Sequence, residues 1–71
     1  DVIGCSVIAD TGERLGEITD ILSAHTDIYV MQEGDKEFMF PAADGVIADV
    51  DVENKIVTVN KVRLMQVLVE Q

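Results

Sequence analysis

Tryptophan is absent, and the aromatic residues number only three: Tyr29, Phe38 and Phe40. A core built around large rings is therefore excluded, and burial must rest on Val, Ile, Leu and Met. Cysteine occurs once, at Cys5, so no internal disulfide can form. A lone thiol fits a reducing compartment, and a cytoplasmic location is the expectation. No segment approaches the roughly 20 apolar residues needed to span a bilayer, and no signal peptide is visible. Bases are scarce as well: 5 Lys and Arg stand against 14 Asp and Glu, a net charge of −9. Binding to a phosphate backbone draws on clustered Lys and Arg. Here Arg14, Lys36, Lys55, Lys61 and Arg63 are scattered singly. Direct contact with nucleic acid and adsorption to an anionic membrane are accordingly not expected.

What is present is a chain of 71 residues, 48% hydrophobic and 27% charged. That balance excludes disorder by composition, which needs low hydrophobicity together with high charge. Residues 1–71 make one small domain, whose thin core buries about 60% of the unfolded surface. The chain opens on Asp1 rather than Met and reads as a piece of a longer protein. Its acidity favours a basic partner, a protein in particular, since complementary potentials steer encounter. The bland alternative is that acidity serves only solubility.

The dominant hydrophobic period is two. Val46, Ala48, Val50 and Val52 fall on one face of an extended run, with Asp49 and Asp51 on the other. Glu53-Asn54 then reads as a turn, Asn tolerating left-handed geometry, before a second strand at Ile56–Val59. The first half repeats the pattern, with strands at Cys5–Ala9 and Leu15–Leu22 about a turn containing Gly12. In the second of these, Gly16, Ile18, Asp20 and Leu22 share a side opposite Thr19 and Ile21. Gly16 inside the strand implies a bend or a close backbone approach. Asp27–Gln32 and Glu37–Phe40 form the next hairpin, and Pro41, lacking an N–H, is expected to stop its pairing. Over Val62–Glu70 alternation and helical spacing compete, and a short packed helix is the preferred reading. About six short strands without a long helix predict a mainly all-β fold, a small antiparallel barrel whose closure protects its edges.

No constellation carries catalysis. Asp49–Asn54 resembles a calcium loop only in part, because Asn54 and Asn60 stand where Gly and Glu are required. Gly12–Glu17 has spaced glycines but lacks the Lys-Ser or Lys-Thr and the strand-to-helix context of a phosphate loop. Cys5 and His25 are nominally a nucleophile and base. Cys5 beside Val7 and Ile8 reads better as core, and His25 as part of an exposed turn. No cofactor and no metal are expected. Met31, Phe38, Met39 and Phe40 cluster on one hairpin. Both Phe are assigned to the core, while Met31 and Met39 stay open between core and interaction patch.

In order and spacing, the chain resembles the PRC-barrel domain, specifically the C-terminal half of the RimM ribosome maturation factors. Asp1-Val2-Ile3-Gly4 is similar to the family's D-L-I-G opening. Gly12-x-x-Leu15-Gly16-x-Ile18, Asp27-Ile28-Tyr29-Val30 and Lys36-Glu37-Phe38-Met39-Phe40-Pro41 resemble the blocks that follow. Val46–Val59 is similar to the closing hairpin. Ser23-Ala24-His25-Thr26 departs from the family's glycine-containing turn, and residues 62–71 lack its Gly-Leu-Leu ending. The resemblance implies a non-catalytic assembly factor that binds the small (30S) ribosomal subunit through ribosomal protein S19 and assists maturation of 16S rRNA. The alternative is a PRC barrel serving regulation outside the ribosome, and an enzyme fragment ranks last. Candidate partner-binding residues are Glu13, Glu17, Asp20, Asp49 and Asp51, and a homodimer is left open.

Overall fold

The computed structural model describes residues 2–71. Asp1, first residue of the D-L-I-G-like opening, lies outside them. In chain order the elements are β1 (Ser6–Ala9), β2 (Arg14–Leu22), β3 (Ile28–Glu33), β4 (Lys36–Pro41), β5 (Ile47–Asp51), β6 (Ile56–Val59), α1 (Lys61–Val67) and β7 (Val69–Glu70). The strands form one sheet in the order β5-β6-β1-β2-β3-β4-β7. The predominantly β fold with one short helix agrees with the expectation from period two. The two-residue β7 is additional, and β5 and β7 lie at opposite ends of the sheet, which does not close by hydrogen bonds.

Neighbouring strands are antiparallel except β1 and β6, which run parallel from Ser6↔Ile56 to Ala9↔Val59. Local turns specify the β1–β2, β3–β4 and β5–β6 hairpins. The β1–β6 pairing has no such local signal, because a parallel pair needs a long crossover. Gly12, at φ 96°, supplies the left-handed residue of the β1–β2 turn.

Three register shifts, at Val7/Ile8, Ile18/Asp20 and Ile47/Asp49, bend the sheet and reset its alternation. They overturn two face assignments. In β2 the shift at Thr19 turns Ile21 toward the core and leaves Asp20 and Leu22 exposed. In β5 the shift at Ala48 exposes that residue and sets Ile47, half-buried, opposite buried Val59. Val50 does share the face of Val57, its partner, but at the sheet edge it is 40% exposed, and Val52 is exposed as well.

Pro41 does not stop pairing. It lies opposite Ile28, and the next residue, Ala42, donates its N–H to the Asp27 carbonyl at 2.8 Å. The hydrogen-bonded pair is thus Asp27–Ala42, and the missing donor of Pro41 falls at the alternate site, where no ladder bond is made. The left-handed residue of the β5–β6 turn is Lys55, at φ 56°, rather than Asn54. Asn54 serves the turn differently, donating its backbone N–H and side-chain amide to the Asp51 carboxylate at 3.2 and 2.8 Å.

The inner face gathers Val7, Ile18, Met31, Phe40, Val57 and Val59 into one aliphatic core, joined by Val2, Cys5, Val46 and Leu64. Both Phe belong to it, Phe40 fully and Phe38 at its margin. Tyr29 meets Phe40 edge-on, with centroids 5.8 Å apart. Asn60 caps α1 by accepting the Arg63 N–H at 3.1 Å, and Leu64 is the helix's buried anchor. Among the described residues no helix is long and apolar enough to cross a membrane.

Candidate functional site

Residues opposite one another in a sheet share a face, and register brings most of the candidate acids together. Asp51 lies opposite Ile56, Ile56 beside Ser6, and Ser6 opposite Glu17. This row crosses the outer face and continues through Gln32 to Glu37. Asp49 stands on the same face opposite Thr58, and Asp20 joins it on β2 beyond the register shift. Three strand spacings separate Asp51 from Glu17, about 14 Å at the usual interstrand distance. The acids are therefore a dispersed field rather than a ligand-holding cluster. Glu13 stands apart, at the end of the β1–β2 turn, where it pairs with the Lys61 ammonium at the start of α1.

Not all of this charge is equally available. Asp20 accepts the Ile21 N–H at 2.8 Å. Asp51 accepts both bonds from Asn54, which hold its carboxyl below the ordinary value, the side-chain bond most. Glu17 and Asp49 have no side-chain partner among the described residues. Of the five candidates, these two carry no side-chain hydrogen bond or ion pair.

The Asp51–Asn54 link gives a pH prediction. A carboxyl with a lowered folded pKa contributes stability that is present above its unfolded value and lost as pH falls through the folded one. The turn should therefore loosen only below about pH 4. In an acid titration followed by NMR, the Asn54 side-chain amide should shift with a midpoint below that of an unstructured Asp peptide. An Asn54→Ala chain should return Asp51 to the ordinary midpoint.

Cys5 and His25 do not meet, and each lies where the sequence placed it. Cys5 is buried in the core, and His25 is exposed in the loop between β2 and β3. Gly12–Glu17 runs through a turn into a strand, without the helix a phosphate loop requires. Among the described residues no three His, Cys, Asp or Glu side chains gather as a metal ion would need. Burial, followed by the nearby Asp27 and Cys5, raises the Tyr29 hydroxyl above its ordinary value, so it remains a neutral phenol.

Two apolar grooves were not legible as such. One, of about 280 Å³, lies between α1 and the β3–β4 hairpin, lined by Leu15, Met31, Phe38, Leu64, Met65 and Leu68 with Glu13, Glu33 and Lys61. The other, also about 280 Å³, is lined by Leu22, Ile28, Met39, Phe40, Pro41, Val67, Val69 and Gln71. Met31 thus belongs to both core and groove, and Met39 borders the second groove. On α1, Val62 is 70% and Met65 62% exposed. Their spacing of three was the available signal, since it places them off the buried Leu64 position.

The RimM PRC barrel domain family model matches residues 1–62. The ribosome maturation factor RimM of Oceanobacillus iheyensis is 38% identical over 68 residues, covering 93% of this chain and 38% of that protein. The RimM of Geotalea uraniireducens is 39% identical over 61 residues, covering 84% and 35% respectively. The chain thus spans less than two-fifths of the length of these curated relatives. In structure it is similar to a 16S ribosomal RNA processing protein RimM from Pseudomonas aeruginosa, with a TM-score of 0.74 at 22% identity, over 83% of this chain and 40% of that one. The order of strands, the placement of the turns and the match over nearly the whole length lead to one assignment: this chain belongs to the RimM PRC barrel domain family.

Proposed function

We propose that this domain is the docking module of a ribosome maturation factor, holding a basic protein of the small subunit, ribosomal protein S19, while 16S rRNA matures. The match to the RimM family over residues 1–62 carries this reading. The net charge of −9 supports a basic protein as the partner, because it favours cations and repels a phosphate backbone. The same charge disfavours a homodimer. In this reading residues 1–71 act as one domain, in the cytoplasm, and capture rather than chemistry is its work. The acidic outer face accelerates encounter, and apolar contacts hold the complex.

Replacing Asp49 and Asp51 together with Asn tests the electrostatic half. Binding kinetics with purified S19 at low salt should show association slowed several-fold and dissociation nearly unchanged, because rim charges act mainly on the on-rate. An unchanged on-rate would remove that face from the account.

A further inference from the structure

We propose that the groove between α1 and the β3–β4 hairpin receives a basic protein segment that carries an apolar anchor, a proposal that rests on the docking function above and locates its contact surface. Met31, Phe38 and Leu64 line the groove, with Met65 and Leu68 from the helix side, and Glu33 also borders it. Its volume of about 280 Å³ suits a side chain or two from a larger partner. Sites that enclose small molecules start near this size and run to roughly 1,000 Å³.

Charge selects the occupant. Glu33 has no side-chain partner among the described residues, whereas Lys61, the one base of the lining, is already paired with Glu13. A Lys or Arg beside an apolar anchor meets a carboxylate there that carries no ion pair, although Lys36 stands opposite it across the hairpin, and the net charge of −9 reinforces the preference. A second copy of the chain would bring the same charge and is disfavoured. The groove beside Met39, Val67 and Val69 has no charged lining residue, and nothing there selects an occupant. Leu64, Met65 and Leu68 lie beyond the 1–62 family match, so this wall is supplied by the chain's own closing segment.

The three methionines give the test. With methyl-¹³C methionine in the whole chain, Met31 and Met65 report on the groove and Met39 on the other one. Titration with purified S19 should shift the Met31 and Met65 methyl signals and leave Met39 in place. Met65→Glu, at an exposed position, should lower S19 affinity at least about tenfold. Val52→Gln, which adds no charge at the exposed β5–β6 turn outside the groove lining, should change it less than about twofold. Binding that moves Met39 alone, or no methionine, would overturn the groove while leaving the docking function intact. If S19 does not bind, the docking function fails instead, and a synthetic alternating Lys-Leu peptide decides the groove. Shifts confined to Met31 and Met65 would support the groove, and their absence would overturn it.

Discussion

Leu64→Ala should lower the unfolding free energy by about 3–4 kcal/mol, read as a fall in the urea midpoint with little change in slope. Leu64 is fully buried and is the one residue by which α1 enters the core. Truncation loses its transfer energy and leaves a cavity in the core that also holds Phe40, Val57 and Val59, whose strands are fixed by their ladders. A seven-residue helix cannot stand without such an anchor, since isolated helices below about 12–15 residues are marginal even with favourable sequences. Domains have about 0.05–0.15 kcal/mol of stability per residue, roughly 4–10 kcal/mol here. Losing this one side chain would therefore remove roughly 30% or more of the total. A loss below about 1 kcal/mol would mean that the helix is an appendage and that the wall of the α1 groove is not fixed.

Gly16→Ala should cost about 2–3 kcal/mol by the same measurement. In an ordinary strand this change is favourable, because glycine loses more backbone freedom on folding. Here a Cβ would stand 2.7 Å from the Gln32 carbonyl oxygen and 2.7 Å from Met31 Cγ, with Met31 Sδ at 3.1 Å. The Met31 side chain can rotate away, but the carbonyl belongs to the strand paired with Glu17 and Ile18 and cannot move without distorting that ladder. The steric term therefore exceeds the entropic gain and sets the sign. Because Met31 also borders the α1 groove, its methyl signal should shift in this variant. A neutral or stabilising result would refute the close approach of β2 and β3.

The positions of Gly16 and Leu64 show how much of the fold lies in the sequence. The glycine interrupts a strand where two backbones meet, one of the two readings, a bend or a close approach, that its position offered. The helix could be read from the spacing of Leu64 and Leu68, although alternation competed over so short a run. Local turns announced hairpins, since Gly12 and the Glu53-Asn54 pair act on their immediate neighbours. Other features depend on residues far apart. The parallel β1–β6 pair joins positions about 50 residues apart, and no local chemistry marks it. The shifts at Thr19 and Ala48 appear only in the pairing of each strand with its neighbour, so strict alternation placed Asp20, Leu22 and Ala48 on the wrong face. Pro41 was misjudged for a related reason. Whether a missing N–H ends a strand depends on which rung it occupies, and that follows from the register with β3.

The candidate surface divides in the same way. Net charge is a sum over the sequence, so an acidic surface was evident without coordinates. That Glu17, Asp20, Asp49 and Asp51 share one face needed the register of four strands. The engagement of Asp51 with Asn54 needed the turn. The groove of Leu15, Met31, Phe38 and Met65 is assembled from three strands and the helix, and its apolar residues are indistinguishable in sequence from core.

The salt dependence of S19 binding tests the central claim most directly. Titrating the domain with S19 from about 0.05 to about 0.5 M salt spans Debye lengths from about 14 to about 4 Å. The prediction is tight binding at the low end that weakens steadily as the acidic face is screened, with a residual affinity supplied by apolar contacts. Absence of binding at every salt concentration, or an affinity that salt leaves unchanged, would contradict it.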